Sequence, residues 1–256
     1  MSLNPRITEW SGRRVWIVGA SSGIGAALAK ALLARGARLA LSARRREPLD
    51  AIAAGSDAVV LPLDVTDAQA MRDAAGRLLG QWNGLDLVVL LAAAYREMRA
   101  STWNLEDARR IVDVNIGGVL NGIDAVLPTL RSQRAGAIAI VASVAGYAGL
   151  PQALAYGPTK AALINFAETL YLDLHPEGVG VYLVCPGFVE TPLTAGNAFE
   201  MPALMKPDEA ARRIVEGFAA GRFEIHFPRR FTGWLKLLRM LPYRLQFAAV
   251  RRVTGL

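Results

Sequence analysis

Three side chains able to handle protons fall within one short stretch: Ser143, Tyr156 and Lys160. Tyr156 and Lys160 are four residues apart. On a helix opened by Pro158 they therefore share a face, with the ammonium beside the phenol. A neighbouring cation favours phenolate, which predicts a tyrosine pKa drawn down from about 10 toward the range useful to a general acid or base. Ser143 follows the apolar run 137–142, read as a buried strand, so its hydroxyl emerges where that strand ends. Such ends are where open α/β sheets bind ligands. Of the 29 basic residues only Lys30, Lys160, Lys206 and Lys236 are lysine. In a chain that otherwise uses arginine, Lys160 points to a need for a compact ammonium. The plain alternative is a chance spacing on a solvated helix.

Residues 14–18 are a β-branched and aromatic run, and residues 22–35 follow with helical apolar spacing that stops at Gly36. Between them lies Gly19-Ala20-Ser21-Ser22-Gly23-Ile24-Gly25. Glycines at such a turn let the backbone approach a pyrophosphate, and the free N–H groups of the helix start favour the anion. A second strand, 38–43, runs into Arg44, Arg45 and Arg46 at the place where an NAD site carries an acid for the ribose 2′-hydroxyl. Ala43 and the arginines predict a 2′-phosphate instead, hence NADP(H), held first by Arg44 and next by Arg45. NAD(H) is the alternative.

Further strands are expected at 58–63, 85–91, 137–142, 179–184 and 223–227, and helices at 67–79, 158–175 and 208–220, the last capped by Asp208. Residues 105–130 read as one long helix with Asn115 inside it. Asparagine is a mediocre helix former, so it either faces solvent or perturbs the helix to serve a site. The aperiodic stretch 190–207 reads as a lid over substrate. Strands alternating with helices predict a doubly wound parallel α/β sheet with helices on both faces.

At 256 residues, 53% hydrophobic and 20% charged, the chain suits one globular domain and not a disordered one. Its single cysteine, Cys185, forms no internal disulfide and is expected as a core residue in a reducing compartment. Residues 1–12 lack an apolar signal core, so a cytoplasmic location is expected. Residues 222–256 hold eight basic side chains and one acid, Glu224, whereas residues 1–221 balance at 21 of each. Two apolar helices studded with arginine and broken at Pro242 are expected in this tail. They fit either peripheral contact with a membrane through residues 229–256 or packing on the body or on another subunit. No nucleic-acid recognition module is visible.

With these motifs in register, residues 12–228 resemble the short-chain dehydrogenase/reductase family, residues 229–256 being a C-terminal helical extension. Gly19, Gly23, Ile24 and Gly25, with Ser21 and Ser22 between, match its cofactor turn, with Val18 where threonine is usual. Asn115, Ser143, Tyr156 and Lys160 match its catalytic tetrad. Asp64-Val65 resembles its adenine-contacting pair, and Pro186, Gly187, Val189 and Thr191 its segment beside the nicotinamide. Leu90-Leu91-Ala92-Ala93 departs from the family's Asn-Asn-Ala-Gly, which removes an amide tie and narrows backbone freedom at Ala93.

The resemblance implies a Rossmann-type fold and a homodimer or homotetramer. It implies hydride transfer between a nicotinamide and a small-molecule carbonyl or secondary alcohol. In it Ser143 binds the substrate oxygen, Tyr156 moves the proton, Lys160 lowers the tyrosine pKa and holds the nicotinamide ribose, and Asn115 anchors a water. The alternative is a non-catalytic nucleotide-binding regulatory or scaffold protein. Loops 94–102 and 191–205, with Tyr95, Met98, Phe199 and Met201, are expected to line an apolar pocket.

Overall fold

The computed structural model describes residues 2–196 and 201–254. Strands β1 (Arg14–Val18), β2 (Arg38–Ala43), β3 (Val59–Pro62), β4 (Leu87–Leu90), β5 (Ala137–Val141), β6 (Gly180–Pro186) and β7 (Glu224–Phe227) form one sheet in the order β3-β2-β1-β4-β5-β6-β7. Every pair is parallel. The order reverses beside β1, so a crevice opens where the carboxyl ends of β1 and β4 diverge.

Side-chain alternation divides the core between the two faces of the sheet. Trp16, Val18, Val88, Leu90, Ile138 and Ile140 point to one face, where α3 (Ala68–Trp82), α5 (Gly118–Gln133) and α6 (Tyr156–Leu174) pack. Val15, Ile17, Leu87, Val89, Ala139 and Val141 point to the other, under α1 (Gly23–Leu33) and α7 (Pro207–Ala219). Burial on both faces is why the central strands read as unbroken apolar runs. The short helix α2 (Arg46–Ala53), not expected from the sequence, buries a single residue, Leu49.

Three local expectations are corrected. The helix expected over 105–130 is two helices, α4 (Leu105–Val112) and α5, joined by a π-turn at Asp113–Gly117 in which the Gly118 N–H reaches back to the Asp113 carbonyl. Although this run is long and apolar enough to cross a membrane, α5 packs on α3 and on the sheet, which makes it a core helix. Secondly, α7 begins at Pro207 after Lys206, so Asp208 sits in the first turn, where a carboxylate favours the helix dipole, and does not cap it. Thirdly, α6 begins at Tyr156, two residues before Pro158, whose missing N–H falls among the first-turn donors that have no helical partner.

The tail folds as α8 (Arg229–Arg239) and α9 (Tyr243–Thr254), broken around Pro242 as the sequence predicts. Its inner side is part of the body: Leu235 and Leu238 join the core on the α6 face, and buried Thr232 bonds His226 Nδ1 at 2.6 Å.

Candidate active site

The glycine turn between β1 and α1 is fixed by sterics. Gly19 has φ +102°, and a Cβ there would stand 2.5 Å from the Ala92 nitrogen at the end of β4. A Cβ on Gly25 would lie 2.2 Å from the Gly19 carbonyl oxygen. Only bare backbone lets the helix start fold over the strand end so closely. The α1 N-terminus carries no acid, Ser22 spends no side-chain bond on capping it, and the N–H groups of Gly23, Ile24 and Gly25 precede the first helical bond. Thr191 reaches this turn from the far side of the crevice, with its methyl 2.6 Å from where a Gly23 Cβ would be. Ser21 lies in the same turn.

Around it, Arg44 and Arg45 stand exposed at the end of β2 with no ion pair among the described residues, and Arg45 precedes the first turn of α2. Asp64 accepts from the Thr66 N–H at 2.9 Å and hydroxyl at 2.8 Å, and these bonds, with the nearby Arg44 charge, hold its carboxyl below the usual range. Val65 is buried against Gly118. A glycine cradle, a bare helix start and free arginines at the second strand together fit a dinucleotide, including one with a 2′-phosphate. The departure after β4 does not open this cradle. Leu90 fills the space left by Gly122, Leu91 and Ala92 both donate to the Val18 carbonyl, and Ala93 is not in a left-handed conformation that would require glycine.

The four expected catalytic residues converge. Tyr156 and Lys160 come from the first turns of α6, Ser143 from the end of β5, and Asn115 from the π-turn. The π-turn directs Asn115 inward: fully buried, its Oδ1 accepts from the Ala94 N–H at 2.7 Å, and its Nδ2 donates to the Ala94 carbonyl at 3.1 Å and to Thr159 Oγ1 at 3.0 Å. Both amide protons are thus committed to joining the β4 exit to α6. Ser143 Oγ accepts from the Ala145 N–H at 3.2 Å, lies 3.5 Å from the Pro186 carbonyl, and is near enough to the Tyr156 phenol to draw its pKa down. Lys160, 2% exposed, donates to the Val141 carbonyl at 3.0 Å, and its Nζ stands 5.5 Å from the centre of the Tyr156 ring. Tyr95 meets that ring edge-on at 5.0 Å and fixes its tilt.

Electrostatics correct the sequence-based expectation for the phenol. Burial pushes Tyr156 up to about 12, outweighing the neighbouring Ser143 hydroxyl, which lowers it. Burial also brings Lys160 down to about 8, so the ammonium sits where its own proton is only loosely held. Desolvation dominates at both groups, and the phenol keeps its proton across the neutral range.

A doubly wound sheet, a steric glycine cradle and a Ser-Tyr-Lys convergence at the β5 end can be compared with known proteins. The family model for short chain dehydrogenases matches residues 13–201. This chain belongs to that family. An uncharacterized oxidoreductase of Myxococcus xanthus is 37% identical over 252 residues, covering 96% of this chain and 100% of the relative. One from Staphylococcus epidermidis is 36% identical over 201 residues, or 78% and 87% of the two chains. Among solved structures, a short chain dehydrogenase from Burkholderia cenocepacia in complex with NADP superposes with TM-score 0.85 at 26% identity, covering 95% and 99% of the two chains. A short chain dehydrogenase/reductase from Burkholderia phymatum in complex with NAD gives TM-score 0.83 at 25% identity, over 90% and 94%.

As a short-chain dehydrogenase this chain should carry a substrate cavity above Ser143 and Tyr156, and one of about 370 Å³ lies there. Gly187, Phe188, Leu193, Thr194 and Pro202 contribute from the segment after β6, and Tyr95, Arg99 and residues 150–153 from the other side. Of the expected lining residues Tyr95 is present, but Met98 turns into a small core under Ala155, Met201 is not among the lining residues, and Phe199 lies outside the described residues. Val189 pairs with Met205, which pins the base of the expected lid.

The largest omission of the sequence reading is the remaining wall. Phe231, Trp234, Leu235 and Leu238 of α8 and Val250 of α9 close the cavity. Their heptad-like spacing was visible, but nothing in a sequence states which surface such a helix covers. A polar latch holds α8 there: the Tyr147 hydroxyl donates to Glu224, Lys236 pairs with the same carboxylate, and the Lys236 ammonium stands 5.4 Å from the Tyr147 ring centre. Cys185 lies beneath, buried and pushed up to about 12, as a core thiol and not a reactive one.

Proposed function

We propose that the protein is an NADP(H)-dependent reductase of an apolar carbonyl compound. The observation that carries this reading is the convergence of Ser143, Tyr156 and Lys160 at the floor of a cavity walled almost wholly by apolar side chains. At neutral pH the phenol carries its proton, as the proton donor in a reduction must, and the Lys160 ammonium and the developing alkoxide are what would draw that proton off a group held near 12. A nicotinamide held there would supply the hydride that the carbonyl carbon receives and would itself be oxidised. Ser143 donates a hydrogen bond to the carbonyl oxygen and Tyr156 delivers its proton there as the carbon–oxygen double bond becomes single, giving the alcohol. Lys160, poised near pH 8, then offers the charge that stabilises the transient phenolate. Asn115 keeps α6 in register with the β4 exit so that these groups stay aligned.

Arg44 and Arg45 favour NADPH through the 2′-phosphate, with NADH the weaker cofactor, in keeping with relatives solved with each. Gly19, Ser21, Ser22, Gly23, Ile24, Gly25 and Ala92 would hold the pyrophosphate side, Asp64 and Val65 the adenine, and Lys160, Pro186, Gly187, Val189 and Thr191 the nicotinamide half. Assembly as a homodimer or homotetramer, acting in the cytoplasm, belongs to the same proposal.

The test is ketone reduction followed at the NADPH absorbance. Tyr156→Phe is expected to lose about three orders of magnitude in kcat while NADPH still binds. A Tyr156→Phe enzyme that turned over at a near-normal rate would overturn the proposal. So would wild-type protein that binds NADPH yet reduces no ketone in a broad panel, the outcome expected of a nucleotide-binding scaffold.

A further inference from the structure

Two sides of one helix pair face different surroundings. Inward, Leu235, Leu238 and Val250 wall the cavity. Outward, the same helices and the turn between them expose Leu237 (60%), Met240 (81%), Tyr243 (74%), Leu245 (59%) and Phe247 (55%), large apolar groups that a solvated surface does not gather. Trp234 belongs to both sides: it lines the cavity, is 45% exposed, and lies one turn before Leu237. The cavity rim and the exposed apolar face are therefore continuous, and Leu193, 38% exposed, extends that rim across the opening.

Charge selects what covers this face. Residues 229–254 carry seven basic side chains and no acid. Lys236 is neutralised by Glu224, while the other six form no ion pair among the described residues. A second copy of the same face would bring two such clusters together, and the balanced remainder of the chain offers no excess of acid to meet them. An anionic lipid surface satisfies both halves of the pattern, taking the apolar groups into its acyl boundary and the guanidinium groups among its headgroups.

We propose that α8 and α9 dock the protein on an anionic phospholipid bilayer with the cavity mouth against it, so that the substrate is a carbonyl compound dissolved in the membrane. The docking stands independently of the reductase reading, and only the substrate class rests on it.

The test is flotation of the full-length protein with vesicles of phosphatidylcholine alone or mixed with phosphatidylglycerol. Wild type is expected to float with the mixed vesicles and to be released by high salt. Reversal of two exposed cations, Arg239→Glu with Arg244→Glu, and separately Leu237→Ser with Met240→Ser and Phe247→Ser, should each weaken binding at least about tenfold. All these positions lie outside the cavity lining, so reduction of cyclohexanone in free solution should stay within about twofold of wild type, whereas reduction of a long-chain methyl ketone dissolved in the mixed vesicles should fall with the binding. Failure of wild type to float at low salt, or sedimentation of a dimer whose α8–α9 face is protected from labelling, would overturn the docking. Flotation without any preference for the vesicle-borne ketone would overturn the substrate assignment. Flotation with neither ketone reduced would sink the reductase reading and leave the docking intact.

Discussion

The two walls of the crevice are built on different principles. On the cofactor side, the turn after β1 meets the end of β4 backbone to backbone, with 2.5 Å between a notional Gly19 Cβ and the Ala92 nitrogen, so geometry is set by atoms that cannot move aside. On the substrate side, α8 meets the body through Phe231, Trp234, Leu235 and Leu238 and one polar latch, Tyr147–Glu224–Lys236. Backbone contact leaves no freedom in residue type, whereas side-chain contact constrains only volume and polarity. The first arrangement suits a cofactor of fixed shape. The second leaves the substrate wall adjustable without disturbing the chemistry.

That contrast breaks most readily at Gly25. Gly25→Ala places a methyl group 2.2 Å from the Gly19 carbonyl oxygen. The turn should distort at a cost of about 3 kcal/mol or more, with NADPH no longer altering tryptophan fluorescence. An alanine variant that bound NADPH normally would mean the cradle is as adaptable as the opposite wall.

Next in size is Lys160, where the rigid side carries a stability cost. Its pKa falls from 10.5 to about 8 on folding, so between those values the unfolded chain keeps a proton that the folded one has shed. The Lys160 contribution to stability should therefore rise with pH across that window, but from about pH 9 the buried Cys185 thiol, raised from 9.0 to about 12, works in the opposite sense, so the net rise of the cofactor-free protein is confined to roughly pH 8 to 9 and is about 1 kcal/mol. Lys160→Met should abolish that rise in urea titrations. It should also gain about 2 kcal/mol at pH 7, after allowance for the lost bond to the Val141 carbonyl, while kcat collapses.

Arg44→Ala is a smaller change, expected to weaken NADPH about tenfold and leave NADH unaffected in fluorescence titrations, since only one of them presents a 2′-phosphate. The mildest effect falls on the adjustable wall. Glu224→Gln loosens a partly exposed latch worth about 1 kcal/mol and should raise KM for a bulky ketone about fivefold with kcat held. A fall in kcat instead would show that the latch also positions Ser143.

Much of the fold and of the catalytic floor was legible in the chain before any coordinates. The runs at 14–18, 85–91 and 137–142 read as strands, 85–91 as one covered on both faces, and Gly19, Gly23 and Gly25 as a tight strand-to-helix turn, and the sheet places them so. Tyr156 and Lys160 at helical spacing had to share a face, and they do. These are local consequences of backbone period and sterics, which the sequence determines within a few residues.

Tertiary structure alone decided the rest. Asn115 left open whether it faces solvent or perturbs its helix, and the sequence could not choose the π-turn that answers this, because the partners that stabilise it, Ala94 and Thr159, lie 21 and 44 residues away. The pKa order of Tyr156 and Lys160 ran opposite to their spacing, because desolvation depends on what surrounds the pair and not on the pair itself. The tail could be read as two basic amphipathic helices, but which side meets the cavity and which side stays bare follows from long-range packing of Leu235 and Leu238 against the α6 face. Helical period tells that a helix has two faces, and only the rest of the fold tells what each of them meets.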